Sequence, residues 1–135
     1  MTISVVGSPW TISASATIAV NPTNVGDLLV LSAGSFYGFN LPNVATVSGG
    51  GVTSWTKVAT GLSSTSSYDS ADLWMGVVTS TGSSTITLTF VNGAAADGIS
   101  VYQFNSDALT GSWTVQQSYG QITPLGGGVN ESTGP

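Results

Sequence analysis

Ser84-Thr85-Ile86-Thr87-Leu88-Thr89-Phe90 decides the fold. Ile86, Leu88 and Phe90 fall on one side and Thr85, Thr87 and Thr89 on the other. Strict period two marks a strand with one buried and one wetted face. Threonine and isoleucine are branched at Cβ, which suits a pleated surface and crowds a helix. Thr81-Gly82-Ser83, just before it, reads as a turn.

Working outward, residues 72–79 read as a strand of another kind. Leu73, Met75 and Val77 point one way, Trp74 and Val78 the other, so both faces are apolar. Residues 27–35 behave alike, through Leu28-Leu29-Val30-Leu31. A free-standing domain should show water a polar outer face, so something covers these strands: the chain's own loops or tail, or another subunit. Residues 10–20 alternate without interruption and predict one half-buried strand, with Ile12, Ala14, Ala16, Ile18 and Val20 on one face and Thr11, Ser13, Ser15 and Thr17 on the other, ended by Asn21-Pro22-Thr23-Asn24.

The remaining punctuation is equally β-like. Residues 36–44 read as a loop with aromatics at its tip, and residues 45–58 as two strands about Gly49-Gly50-Gly51. Residues 61–70 read as a Ser/Thr linker, 92–98 as a loop, 99–104 as a strand and 113–117 as one further strand. From Leu125 onward the Gly-rich stretch has no periodicity and reads as a linker or flexible tail. Nowhere do apolar residues recur at helical spacing over three turns, and no internal repeat is visible. The expectation is an all-β chain: a two-sheet antiparallel β-sandwich, jelly-roll-like, over residues 1–124, with a tail over 125–135.

Composition narrows the function. At 135 residues the chain is long enough to bury a core without disulfides or metal. Only 5% of residues are charged, against roughly a quarter in ordinary soluble domains. Ser, Thr, Asn and Gly supply the polarity instead, as on particle-surface and extracellular β proteins. Lys57 is the single cation in a chain of net charge −5. Nucleic-acid binding and a polybasic membrane patch both need several Lys or Arg, so neither is expected. The start, Met1-Thr2-Ile3-Ser4-Val5-Val6, lacks the basic head and long apolar stretch of a secretory leader, and no apolar run is long enough to span a bilayer. Synthesis in a cytoplasm is expected.

The chain has no His and no Cys, so the commonest general base, the best neutral metal ligand and the strongest nucleophile are missing. Six acidic residues remain: Asp27, Asp69, Asp72, Asp97, Asp107 and Glu131. A glycosidase needs two of them flanking one bond. Asp27 and Asp97, however, sit beside Gly, and Asp107 two positions after Asn105, at turn-like positions where Asp serves as a local acceptor. Asp69 and Asp72, three apart at the start of a strand, suit an edge-strand charge that deters aggregation better than they suit a Ca²⁺ site. Neither enzyme, metal nor cofactor is expected. Among the aromatics, Trp55 and Trp74 are assigned to the core. Phe36, Tyr37 and Phe39 around Gly38, together with Trp113, are the candidate contact residues for a partner or a sugar.

The order of motifs carries a resemblance. Gly26-Asp27-Leu28-Leu29-Val30-Leu31, then Val52-Thr53-Ser54-Trp55-Thr56, Ala71-Asp72-Leu73-Trp74-Met75, the Thr-rich 84–90 strand and Ile99-Ser100-Val101-Tyr102-Gln103-Phe104 together resemble a β-sandwich domain of bacteriophage structural and bacterial surface proteins. The likeness covers about residues 10–107. Such domains carry one or two more apolar strands where this chain runs into Gly126-Gly127-Gly128. The resemblance implies a virion structural protein, made in the host cytoplasm, that decorates a head or tail. It would bind neighbouring capsid or tail subunits and self-associate. The alternative it implies is a carbohydrate-binding or adhesion module with Tyr37, Phe39 and Trp113 as stacking platforms.

Overall fold

A computed structural model describes residues 2–37, 43–64, 68–91, 95–107, 113–114 and 120–123. Those residues are all-β, without a helix. In chain order the strands are β1 (Ile3–Val5), β2 (Trp10–Ser13), β3 (Thr17–Val20), β4 (Leu28–Tyr37), β5 (Val44–Gly49), β6 (Val52–Ser64), β7 (Tyr68–Val78), β8 (Ser84–Phe90), β9 (Ala95–Ser106) and β10 (Gly120–Thr123). The sheet runs β1-β9-β4-β7-β6-β5-β8-β3, with β2 also on β9 and β10 on β6. All pairings are antiparallel except that of β10 with β6.

The sheet curls like a half-barrel. Strand β6 carries two irregularities, between Val52 and Trp55 and between Lys57 and Ala59. An extra residue on one strand bends it and strengthens its twist. Beyond β6, strand β5 is joined to it at Gly49↔Val52, and the path continues through β8 to β3. The buried side chains meet in one cluster: Leu29, Leu31 and Ala33 of β4, Trp74 and Val78 of β7, Ile99 and Val101 of β9, Val52 of β6, Val44 of β5, Ile86 and Leu88 of β8, and Ile18 and Val20 of β3. Ile86 and Leu88 are buried, and Trp55 and Phe90 pack against the cluster, as the alternation and the core assignment of the tryptophans require.

Three expectations about elements need correcting. The continuous strand over residues 10–20 is broken at Ala14, a non-glycine residue at φ 52. Its first half pairs with β9 and its second with β8, on opposite flanks of the sheet. The supposed Ser/Thr linker belongs to a long hairpin, because β6 runs to Ser64 and β7 starts at Tyr68, with Ser64 opposite Tyr68. Trp113 and Thr114 lie outside any strand, and the late strand is β10 instead. Residues 115–117 and the proposed tail from residue 125 lie outside the described residues.

Candidate functional site

The outer face of β9, β4 and β7 is the first feature with the character of a site. Register places Val30 between Met75 and Tyr102, Leu28 between Val77 and Phe104, and Ser32 between Leu73 and Ser100. Residues directly opposed across strands share a face, so these side chains form one strip. Strand β1 prolongs it, with Val5 opposite Phe104. Leu73 is 37% exposed, Tyr102 40% and Val5 51%. The Tyr102 and Phe104 rings stack with centroids 6.3 Å apart. No position of the strip is charged. The apolar residues on the two sides of the 28–31 and 73–78 runs divide by parity: Leu29, Leu31, Trp74 and Val78 join the core, while Leu28, Val30, Leu73, Met75 and Val77 share the other face, where Leu28 is buried and Leu73 is exposed.

The second feature is a buried polar cluster on the inner face. Alternation along β7 places Ser70, Asp72, Trp74 and Val78 on that face. The Ser35 and Ser70 hydroxyls lie 2.7 Å apart. One residue pair further in, the Asp72 side chain has no exposed surface, and Lys57 Nζ lies 3.2 Å from its Oδ1. Thr60 Oγ1 donates to the same oxygen at 2.6 Å, and the Val44 backbone N–H donates to Oδ2 at 2.6 Å. The Lys57 ammonium also sits 5.1 Å from the centroid of the Trp74 ring, a cation–π arrangement. The reading of Asp72 as an edge-strand charge is thus overturned: β7 lies inside the sheet, between β4 and β6. Asp69 points to the opposite face and is exposed, so the two carboxylates do not converge on a cation.

Asp27 heads a third polar group, at the other end of the strands. Its carboxylate accepts from Gln103 Nε2 at 2.5 Å, Asn105 Nδ2 at 2.7 Å and Asn24 Nδ2 at 3.1 Å. Gln103 Nε2 also donates to Thr23 Oγ1. The Asn24 contact is the local turn contact that its position suggested; the β9 amides are partners no local pattern reveals. The network ties the turn after β3 to β9, so it is structural. Asp27→Ala should lower unfolding free energy in urea by about 3 kcal/mol, since it strands the buried Gln103 amide. Asp27→Asn should recover only part of that, because it adds a donor among donors.

The sequence candidates do not gather in one place. Phe36 and Tyr37 end β4, opposite Asp69 and Tyr68 of β7, and Phe36 is 43% exposed. Phe39 lies outside the described residues. Trp113 donates through Nε1 to the Gly26 carbonyl at 3.0 Å, beside the start of β4 and hence at the opposite end from Phe36. A single stacking platform built from both is therefore not formed. Sequence reasoning missed Lys57 as a site residue. The one signal for Lys57 was its being the chain's only cation, which a buried carboxylate had to claim. No family model, curated protein or solved structure matches the chain.

Proposed function

We propose that the chain is a non-enzymatic structural protein of a bacteriophage particle, an outer domain of head or tail that docks on neighbouring capsid or tail subunits. In this reading the curl acts as a jelly-roll-type sandwich, with β3, β8 and β5 stacked over β9, β4 and β7. One observation carries it: the uncharged strip of Val5, Val30, Leu73, Met75, Tyr102 and Phe104, laid out by register on one face and in part open to water. Exposed apolar area of this kind mediates contact between proteins, at about 25 cal/mol per Å² removed from water. The residue types present support the same reading, since neither His nor Cys is available for chemistry.

The test is co-sedimentation of the full chain with heads and with tails of the phage whose structural genes flank its own. Binding to one of the two is expected. Leu73→Asp with Tyr102→Asp should weaken it by at least about a hundredfold, ~2.7 kcal/mol, through burial of charge at the contact. Melting should change little, because both side chains face out. Absence from both pellets, or flanking genes without any structural role in a particle, would sink the proposal.

A further inference from the structure

Strand β2 is an edge: it is bonded to β9 on one side and to no strand among the described residues on the other. Its ladder shows which backbone groups are left over. The Ala14 N–H donates to the Asp97 carbonyl at 3.0 Å, so by the alternation of an antiparallel pair Ile12 and Trp10 also exchange their bonds with β9. Thr11 and Ser13 therefore turn N–H and C=O away from the sheet, with no partner among the described residues. Proteins guard such edges with charge, proline, a bulge or a covering segment. This chain occupies part of its other edge strand: the Ser15 hydroxyl accepts from the Thr17 N–H at 3.1 Å and donates to the Thr17 carbonyl at 2.9 Å, at the start of β3. Among the described residues nothing equivalent guards β2, which has neither charge nor proline and is exposed at Thr11, Ile12 and Ser13. Ile12 stands opposite the buried Ile99, hence on the core side, and is still 41% exposed.

We infer that β2 pairs with β2 of a second copy of this chain, antiparallel, with Ile12 on the two-fold axis. Only that register uses the whole edge. It sets Thr11 opposite Ser13 of the second copy, and each such pair exchanges both of its N–H···O bonds. Centring on Thr11 would set Ser13 opposite Pro9, which has no N–H, and centring on Ser13 would set Thr11 opposite Ser15, past the break at Ala14. Parity suits the side chains as well. Ile12 spends its backbone bonds on β9, so across the axis it falls in a non-hydrogen-bonded pair, where Cα atoms approach to about 4.5 Å and side chains are closest. The two isoleucines then cover each other at the rims of the two cores, and the Thr11 and Ser13 hydroxyls meet on the outer face. An identical strand brings no charge to an uncharged edge, and an isologous contact closes at two copies. The inference goes beyond the particle reading, since it uses the edge of the sheet and not the strip on its face.

The test is sedimentation velocity of the full chain over a range of concentrations, which should pass from monomer to dimer. Ile12→Lys and Ile12→Glu each set like charges against each other at the axis and should each weaken the dimer at least about tenfold. An equal mixture of the two should regain it, and both should melt close to the parent because the side chain is exposed. Cross-linking checks the register. The chain has no cysteine, and a Cα separation of about 4.5 Å lies within disulfide range, so Ile12→Cys should oxidise to a covalent dimer. In Thr11→Cys the two thiols belong to diagonal neighbours, roughly 7–8 Å apart, and should not join. Leu73→Asp with Tyr102→Asp should leave the dimer intact, which separates this result from the particle test. A chain monomeric at every concentration overturns the inference, whether β2 then stays open or takes a strand of another protein. A dimer that survives the Ile12 variants, fails to return on mixing, disappears with the strip variant or oxidises equally through both cysteines overturns it too.

Discussion

Lys57→Ala should destabilise the fold by about 3 kcal/mol, a drop in melting temperature on the order of 10 °C for a chain of this size. Removing one partner of a buried ion pair leaves the other charge in a place water does not reach. Asp72 is that charge: its side chain has no exposed surface, and among the described residues the Thr60 hydroxyl and Val44 N–H would remain as its donors. The effect sits at the low end of the range for buried pairs because Lys57 itself is about one-third exposed, so part of its attraction is screened. The diagnostic is the sign of the coupling. Asp72→Asn removes the charge while keeping an acceptor for its neighbours, so the double variant should be more stable than Lys57→Ala alone. Salt gives a second check, since a pair screened by 1 M NaCl would be a surface pair. If Lys57→Ala melts within about 2 °C of the parent, the carboxylate is reached by water and the cluster is not what holds β5 against β7.

That pair also shows what a sequence can and cannot disclose. The alternation of residues 84–90 was legible because it is local: each side chain declares its face by parity, and Ile86 and Leu88 are buried as that parity demands. The two-faced apolar runs were legible for the same reason: parity separates Leu29, Leu31, Trp74 and Val78, which are buried in the core, from Val30, Leu73 and Met75 on the other face. What failed was whatever depended on pairing across distance. Residues 10–20 alternate perfectly, yet the chain breaks at Ala14, because its two halves serve opposite flanks of a curled sheet. Residues 61–70 are mostly small and hydroxyl-bearing, so a hairpin arm carries no hydrophobic period there. Asp72 looked exposed because an isolated Asp in a strand usually is; its partner lies fifteen positions earlier, in the neighbouring strand. Asn43 Oδ1 and Trp74 Nε1, buried and without a hydrogen-bond partner among the described residues, have no sequence signal at all, since being unpaired is a property of packing.

The β5–β6 connection offers a harsher test of the curl. Gly49→Ala and Gly51→Ala should each cost more than about 4 kcal/mol, enough to leave little soluble folded protein at 37 °C. Both glycines have positive φ, 82° and 71°, a region where an L side chain is strained by roughly 1–2 kcal/mol. Strain alone would be tolerable; the surroundings make it severe. A Cβ on Gly49 would lie 2.0 Å from the Thr85 carbonyl oxygen, and one on Gly51 2.1 Å from that of Ser80. Neither obstacle is a side chain that can rotate away. Relief requires moving backbone that is itself engaged: Gly50 donates to the Thr85 oxygen, and Thr79 and Ser80 both donate to Gly51. Those bonds fasten the β5–β6 turn to the start of β8 and to the β7–β8 turn. Gly82 supplies the control. It has φ 101° with no atom within 4 Å of an added Cβ, so Gly82→Ala should cost only the conformational strain, about 1 kcal/mol. Equal melting temperatures for Gly82→Ala and Gly49→Ala would mean that the two turns do not touch, and that the half-barrel is more open than described.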